Sequence, residues 1–292
     1  MRRPIALLSC FLLVPAVSFA GSRAKEIHIS LSSYLYRGVF DARYDNDYAP
    51  VHYSALPGTR AWQTLSLEGG GGTGLALSIV YYFNKRMGIR ISAGRSRFDI
   101  EGANSPYNVF LKYTSTQPPD YKPRVATYER TLSWGRTEGQ IKTTFATLGL
   151  EMRRELSRVF QAAISAAAGV YQVSGEFSPL GYSRYTIGGH GVLFPWNDIV
   201  YLKIPESVVP GLNLGAELTA SLGGGMFIWL RGAYDLVGRV SEVPVIERAV
   251  DYDFGTPVAG EDLASISKVL ALRKLRFSPS AVCLGAGLGF GF

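Results

Sequence analysis

Ala281-Val282-Cys283-Leu284-Gly285-Ala286-Gly287-Leu288-Gly289-Phe290-Gly291-Phe292 is the stretch that decides the fold. Val282, Leu284, Ala286, Leu288, Phe290 and Phe292 share one parity; Ala281, Cys283, Gly285, Gly287, Gly289 and Gly291 share the other. A period of two means a strand. One face is greasy and the other is nearly bare. In a soluble sheet the second face would carry polar groups or pack tightly on another element. In a small barrel a bare face can look into a crowded interior, leaving room for large side chains from other strands.

The same alternation recurs upstream. Leu212, Leu214, Ala216, Leu218, Ala220 and Leu222 oppose Asn213, Gly215, Glu217, Thr219 and Ser221. Gly223-Gly224-Gly225 reverses the chain. Met226, Ile228, Leu230, Gly232 and Tyr234 then oppose Phe227, Trp229, Arg231, Ala233 and Asp235. A third hairpin runs from Thr73 through Leu75, Leu77, Ile79, Tyr81 and Phe83 to an Asn84-Lys85-Arg86 turn and on to Ile89, Ile91 and Ala93; both faces of 75–83 are apolar, so its inward face stays open. A fourth joins Ala146, Leu148, Leu150 and Met152 to the alanine-rich alternation from Phe160 to Val170. Ile27, Ile29 and Leu31 begin one more strand. The count is eight: about 26–37, 64–83, 87–99, 141–152, 157–175, 210–222, 226–240 and 278–292. Three connections are short turns, and four, about 38–63, 100–140, 176–209 and 241–277, are long and read as loops. Soluble domains rarely carry several structureless loops of that length.

The amino terminus reads as an export signal. Arg2 and Arg3 precede the largely apolar stretch from Ile5 to Val17, and Ser18-Phe19-Ala20 offers a cleavage site after Ala20. The expected organisation is a signal peptide over 1–20 and a single barrel domain over 21–292. Cleavage removes two arginines, so the formal charge falls from +7 to +5. No Lys/Arg run of the kind nucleic-acid binding needs stands in the sequence. Cys283 is the one cysteine left after cleavage, so no internal disulfide is expected. His28, His52 and His190 are too scattered to suggest a metal site, and no cofactor is expected.

Lipid cannot satisfy exposed backbone N–H and C=O groups, so an exported chain with many lipid-compatible strands must close its sheet. The expected fold is all-β: a closed antiparallel eight-stranded transmembrane β-barrel with short periplasmic turns and four long external loops. The ending Leu288-Gly-Phe290-Gly-Phe292 resembles the C-terminal recognition strand of bacterial outer-membrane barrels. By pattern over most of 26–292, the chain resembles the small eight-stranded outer-membrane barrels of the OmpA-like superfamily, without a peptidoglycan-binding domain. The resemblance implies residence in the cell outer membrane as a monomer, with outer-membrane lipids and the outer-membrane assembly machinery as partners. Such barrels anchor, adhere, bind host molecules or pass small solutes, and a few modify lipid A, so fold alone does not choose an activity.

Candidate sites are few. His28 and Ser30 share a strand face, and lipid-A deacylase-like barrels use a His and a Ser, but no surrounding motif matches and no catalytic residue is assigned. His190 near Asp198, and Asp41, Asp45 and Asp47, read as loop polarity. Gly69–Gly72 lacks the Lys-Ser/Thr of a phosphate loop and reads as a bend in a strand. Phe290, Phe292, Tyr81, Tyr82 and Phe83 read as an aromatic periplasmic rim. Inward groups include Arg90, Phe145, Glu151, Gln161, Glu217, Trp229, Arg231 and Asp235. With Leu222 facing Met226 across the glycine turn, Glu217 falls opposite Arg231, and Glu151 and Arg90 join an interior network from neighbouring strands. An eight-stranded barrel with such a filling is expected to be plugged, with recognition of an external ligand in its loops; a narrow channel and a lipid-modifying enzyme are the alternatives.

Overall fold

The computed structural model describes residues 26–48, 56–116, 121–188, 191–251, 254–258 and 261–292. The proposed signal peptide and His190 lie outside them. The elements in chain order are β1 (Glu26–Gly38), β2 (Asp41–Tyr48), β3 (Arg60–Tyr82), β4 (Met87–Thr116), β5 (Pro123–Glu155), β6 (Phe160–Gly188), β7 (Gly191–Gly223), β8 (Met226–Val237), β9 (Val240–Glu242), β10 (Val245–Asp251), α1 (Glu261–Val269), β11 (Leu275–Phe277) and β12 (Ala281–Gly291).

Eight strands close into a ring. β3 to β8 pair with their sequence neighbours, β8 pairs with β12, and β1 joins β12 to β3. Every pairing is antiparallel. The alanine-rich stretch of β6 is strand, not helix, because each of its residues has partners on both sides.

The three short turns use different local chemistry. At the first, the backbone N–H groups of Arg86 and Met87 donate to Asn84 Oδ1 at 2.8 and 2.7 Å. At the second, those of Val159 and Phe160 donate to Ser157 Oγ at 3.2 and 3.0 Å. At the third, Gly223, Gly224 and Gly225 all take positive φ, which only glycine adopts without strain. That turn pairs Gly223, not Leu222, with Met226; the shift leaves Leu222 unpaired and restores Ser221 opposite Phe227.

Near these turns the barrel is apolar outside and polar within. Ile27, Leu31 and Leu35 on β1, Leu75 and Leu77 on β3, Leu148 and Leu150 on β5, Leu214 and Leu218 on β7, and Leu284 and Leu288 on β12 are all exposed. The open question on 75–83 is resolved: Ala76, Val80 and Tyr82 are buried inward, while Leu75, Leu77, Ile79 and Phe83 face out. Tyr82 is therefore a lumen residue rather than part of an aromatic rim. The bare face of β12 does accept bulk from other strands. A Cβ on Gly285 would fall 2.2 Å from the Tyr34 ring, and one on Gly289 would fall 2.3 Å from the Phe227 ring.

The long connections are far more regular than loops. β4 and β5 stay paired from Met87↔Met152 to Thr116↔Pro123, and β6 and β7 from Phe160↔Ala220 to Gly188↔Gly191. β2 continues β1 along the next stretch of β3, and β10 continues β8 along β7. In these extensions the polarity inverts: Phe98, Ile100, Val109, Leu111, Val173, Leu202 and Ile204 are buried inside, while Arg97, Asp99, Glu101, Lys142 and Lys203 are exposed outside. Prolines concealed these strands from sequence reading. Pro106 and Pro179 lie where the β4–β5 and β6–β7 registers shift, the places in a sheet that tolerate a missing N–H. Gly69–Gly72 likewise marks a register shift in β3; a Cβ on Gly69 would strike the Gly38 backbone at 2.4 Å, where β1 gives way to β2.

The Tyr34–Gly285 fit gives a test. Gly285→Val should overpack the lumen and cost about 1–3 kcal/mol, read as a lower urea midpoint of the refolded barrel. Adding Tyr34→Ala should recover most of the loss; no recovery in the double variant would show that Gly285 has another reason to be bare.

Candidate functional site

Inward parity gathers the polar residues of the spanning segments into one connected network. Arg90, on β4, is its hub. Its Nε donates to Glu151 Oε2 at 2.5 Å, and its Nη2 donates to Glu217 Oε2 at 2.6 Å. The three side chains are 4%, 1% and 9% exposed. Glu217 and Arg231 are directly opposite across the β7–β8 hairpin, but their closest atoms are 3.5 Å apart. Arg231 makes its shorter bonds elsewhere, donating at 2.8 Å to Ser165 Oγ and to Asn213 Oδ1. Its guanidinium occupies the space that a side chain at position 215 would need, since a Cβ on Gly215 would come within 2.3 Å.

The network continues both ways. Toward the turn end, the Tyr82 hydroxyl donates to Glu151, the Arg153 guanidinium lies 3.7 Å above the Tyr82 ring, and Arg153 Nη2 donates to Glu26 at 2.6 Å. Toward the loop end, Asn213 Nδ2 and the Tyr171 hydroxyl donate to Asp235 Oδ1 at 2.8 and 2.9 Å. Tyr171 stacks on Phe145 at 5.7 Å, and above that ring pair the apolar core begins. A void of about 20 Å³ in this region is lined by Arg90, Arg231, Asp235 and Tyr36 among others. That is room for about one water.

Sequence reading placed Arg90, Glu151, Glu217 and Arg231 in this network and Asp235 among the inward groups, and missed Glu26, Tyr82, Arg153, Ser165, Tyr171 and Asn213. The missing signal was parity: Arg153, Ser165, Tyr171 and Asn213 share the inward face of strands whose inward face was already assigned, whereas for Glu26 and Tyr82 the inward face of the strand had been left open. Gln161 stands inward but half-buried near the turn end.

The other candidates have ordinary surroundings. His28 faces inward, edge-on to Tyr82 at 5.0 Å and tilted against Phe227 at 4.9 Å, with Glu26 3.6 Å away. Ser30 is buried on the same inward face. Asp41, Asp45 and Asp47 sit on β2, not on a loop. Asp45 accepts from Thr64 at 2.6 Å and from Arg43 at 2.8 Å. Partial burial opposes its ionisation, yet those bonds outweigh it and hold the carboxyl below the usual aspartate range. Asp47 pairs with Arg273. Asp198 is fully buried in β7. Leu288, Phe290 and Phe292 face outward and are exposed.

The loop end is a folded body. Gln63, fully buried, ties three strands together: its Nε2 donates to the Ser105 carbonyl at 2.9 Å and the Pro179 carbonyl at 3.4 Å, and its Oε1 accepts from the Gly181 N–H at 2.8 Å. β5 and β6 part company above Glu138↔Ser178, so residues 123–137 of β5 are laddered to β4 alone. β2 and β10 end the strand order on opposite sides of the gap between them. Ile266 of α1, Leu270, and Leu275 and Phe277 of β11 are buried in the same core, with Phe277 against Phe40 at 5.6 Å.

No protein-family model matches the chain, and no curated protein matches it. Solved structures with a similar barrel include the outer-membrane protease OmpT of Escherichia coli, 9% identical over 91% of this chain and 97% of that one, with a TM-score of 0.44. The outer-membrane protein OprG of Pseudomonas aeruginosa is 12% identical over 93% and 98%, with a TM-score of 0.42. These are likenesses of shape.

Arg90 bridges two buried carboxylates, so its removal strands both. Arg90→Met should destabilise the refolded barrel by about 3–5 kcal/mol, and Arg231→Met by less. A double-mutant cycle on urea unfolding in micelles should give a larger coupling for Arg90–Glu217 than for Arg231–Glu217. The reverse order would make the cross-strand pair the main tie.

Proposed function

We propose that the chain is a bacterial outer-membrane barrel whose lumen is closed and whose role is binding, carried by the folded body at its loop end. The supporting observation is that buried side chains occupy the interior at both levels: the Arg90 network in the spanning segment, and the apolar core from Phe98 and Ile100 to Leu202 and Ile204 in the extension above it. A solute would have to break buried ion pairs and then displace a hydrophobic core. What remains accessible is the surface of the outer hairpins, a set of structured segments on a rigid scaffold of the kind that commonly carries recognition. The unshared edge of β5 over 123–137 adds a row of backbone groups to which an extended partner could bond.

A catalytic role is not part of the proposal. A lipid-modifying site needs its nucleophile and base on the side that meets lipid, whereas His28 and Ser30 point into the lumen. Outer-membrane residence is supported by the belt of exposed leucines, which water would not solvate favourably and lipid would.

Purified barrel in planar bilayers should give no discrete conductance steps; repeated unitary openings would select the narrow-channel reading instead. On cell fractionation it should travel with the outer membrane and migrate differently on gels before and after boiling. Trypsin added to intact cells should cut at the β4–β5 tip near Lys122 and Arg124. Cleavage at Lys85–Arg86 or Arg153–Arg154 would place the turn end outside.

A further inference from the structure

The boundary where strand polarity inverts carries an unusual grouping of charge. On β4 the outward face runs Ile89, Ile91, Ala93, then Arg95 and Arg97. On β5 it runs Leu150, Leu148, Ala146, Thr144, then Lys142. Register places Arg97 directly opposite Lys142 and Arg95 directly opposite Thr144. On its other side Arg97 faces Thr73 of β3. One strand further round, Arg37 ends the apolar outward row of β1 and faces Gly71. A Cβ built on Gly71 meets nothing within 4 Å, so the sheet surface between Arg37 and Arg97 is a bare notch. Arg37, Arg95, Arg97 and Lys142 are all exposed, and among the described residues none has an ion-pair partner.

This arrangement is costly as it stands. Like charges directly opposite on antiparallel strands repel at close range, and Arg97 and Lys142 are such a pair. The grouping is also one-sided. At the corresponding boundary on β6 and β7 the outward charges are mixed and matched: Lys203 lies directly opposite Glu176, and Gln172 donates to Glu206 at 3.0 Å. Above the cations β4 and β5 turn acidic, with Asp99, Glu101 and Glu138 exposed. An anion is therefore favoured at one height and on one wall: immediately beyond the last lipid-facing side chains, Ala93 and Ala146. That is the level of a phosphate attached to a lipid whose chains lie against the belt below. Guanidinium groups match phosphate oxygens in a planar fork, and the Thr73 and Thr144 hydroxyls stand beside them as further donors.

We propose that Arg95, Arg97 and Lys142, with Arg37 across the Gly71 notch, form a binding site for the phosphorylated head group of a lipid in the leaflet at the loop end. The site rests on the membrane reading above. Its occupant is a lipid rather than free phosphate, because chains packed on the adjoining apolar belt add to a charge attraction that water and salt would otherwise screen.

The test uses the full-length barrel folded in zwitterionic phosphocholine micelles and titrated with phosphatidic acid, bound lipid being counted by native mass spectrometry. The expected result is saturable retention of phosphatidic acid, a rise in the unfolding midpoint with that lipid, and neither effect with added phosphatidylcholine. Arg97→Gln/Lys142→Gln should weaken retention about tenfold or more, with an unfolding midpoint no lower than wild type when no acidic lipid is present. Lys85→Gln/Arg86→Gln, which removes the same charge at the turn end, should bind like wild type. Equal retention by the wild type and the Arg97/Lys142 variant would overturn the site. So would inorganic phosphate giving the same rise in midpoint as phosphatidic acid. Failure of the wild type to insert into vesicles of any composition would overturn the membrane reading itself, whereas insertion without preference for acidic lipid would overturn this proposal alone.

Discussion

The backbone of β1 satisfies its hydrogen bonds on two sides at once, to β12 from His28↔Gly291 to Gly38↔Ala281 and to β3 from Glu26↔Tyr82 to Arg37↔Gly71. Everything else in the spanning part depends on that closure. In hydrocarbon an open edge would leave a row of N–H and C=O groups with no partner, each costing several kcal/mol. Once the ring is closed, parity has only two meanings, lipid or lumen. The bare face of β12 is then determined by its neighbours, since Tyr34, Trp229 and Phe227 need the space that Gly285, Gly287 and Gly289 leave.

How much of this was legible from sequence depended on which solvent a segment meets. In the belt, greasy outward faces alternate with small or charged inward ones, and each of the eight ring strands announced itself. Beyond the belt water lies outside, so the pattern reverts to that of a soluble sheet with its apolar face inward. Tyr107, Val109 and Leu111 against Asn108, Phe110 and Lys112 is such a pattern. It was obscured by Pro106 and by an expectation that long connections are loops. The prolines sit at register shifts, a location that becomes visible only when both strands are in hand.

The interior network shows a second limit. Register alone places Glu217 opposite Arg231, and that is where the two residues are. It does not say which cation comes closest. Arg90 reaches Glu217 from β4, 127 positions away in sequence, and outcompetes the cross-strand neighbour, 2.6 Å against 3.5 Å. In a barrel this narrow, long side chains meet partners from the far wall as readily as partners on the next strand. Pairing across the lumen is a property of the closed ring, which no single hairpin contains.

The two halves of the molecule therefore rely on different forces. Within the belt, apolar side chains exchange lipid for lipid-like surroundings, and burial supplies little drive. What holds the strands in register there is the backbone ladder together with hydrogen bonds from Arg90, Arg231 and Arg153, and both require closure. In the outer body water is the solvent, and burying Tyr44, Leu65, Tyr107, Phe177, Leu180 and Leu202 contributes the ordinary hydrophobic effect. That body has no need of a closed ring. Its strand order can end at β2 on one side and β10 on the other, because exposed backbone groups there bond to water. The gap needs only apolar filling, which Ile266, Leu270, Leu275 and Phe277 provide from the connection between β10 and β12. The change of solvent along β3 to β7 is thus also the point where a closed ring becomes an open sheet, and the register shift at Gly69–Gly72 lies beside the β1–β2 junction that makes the change.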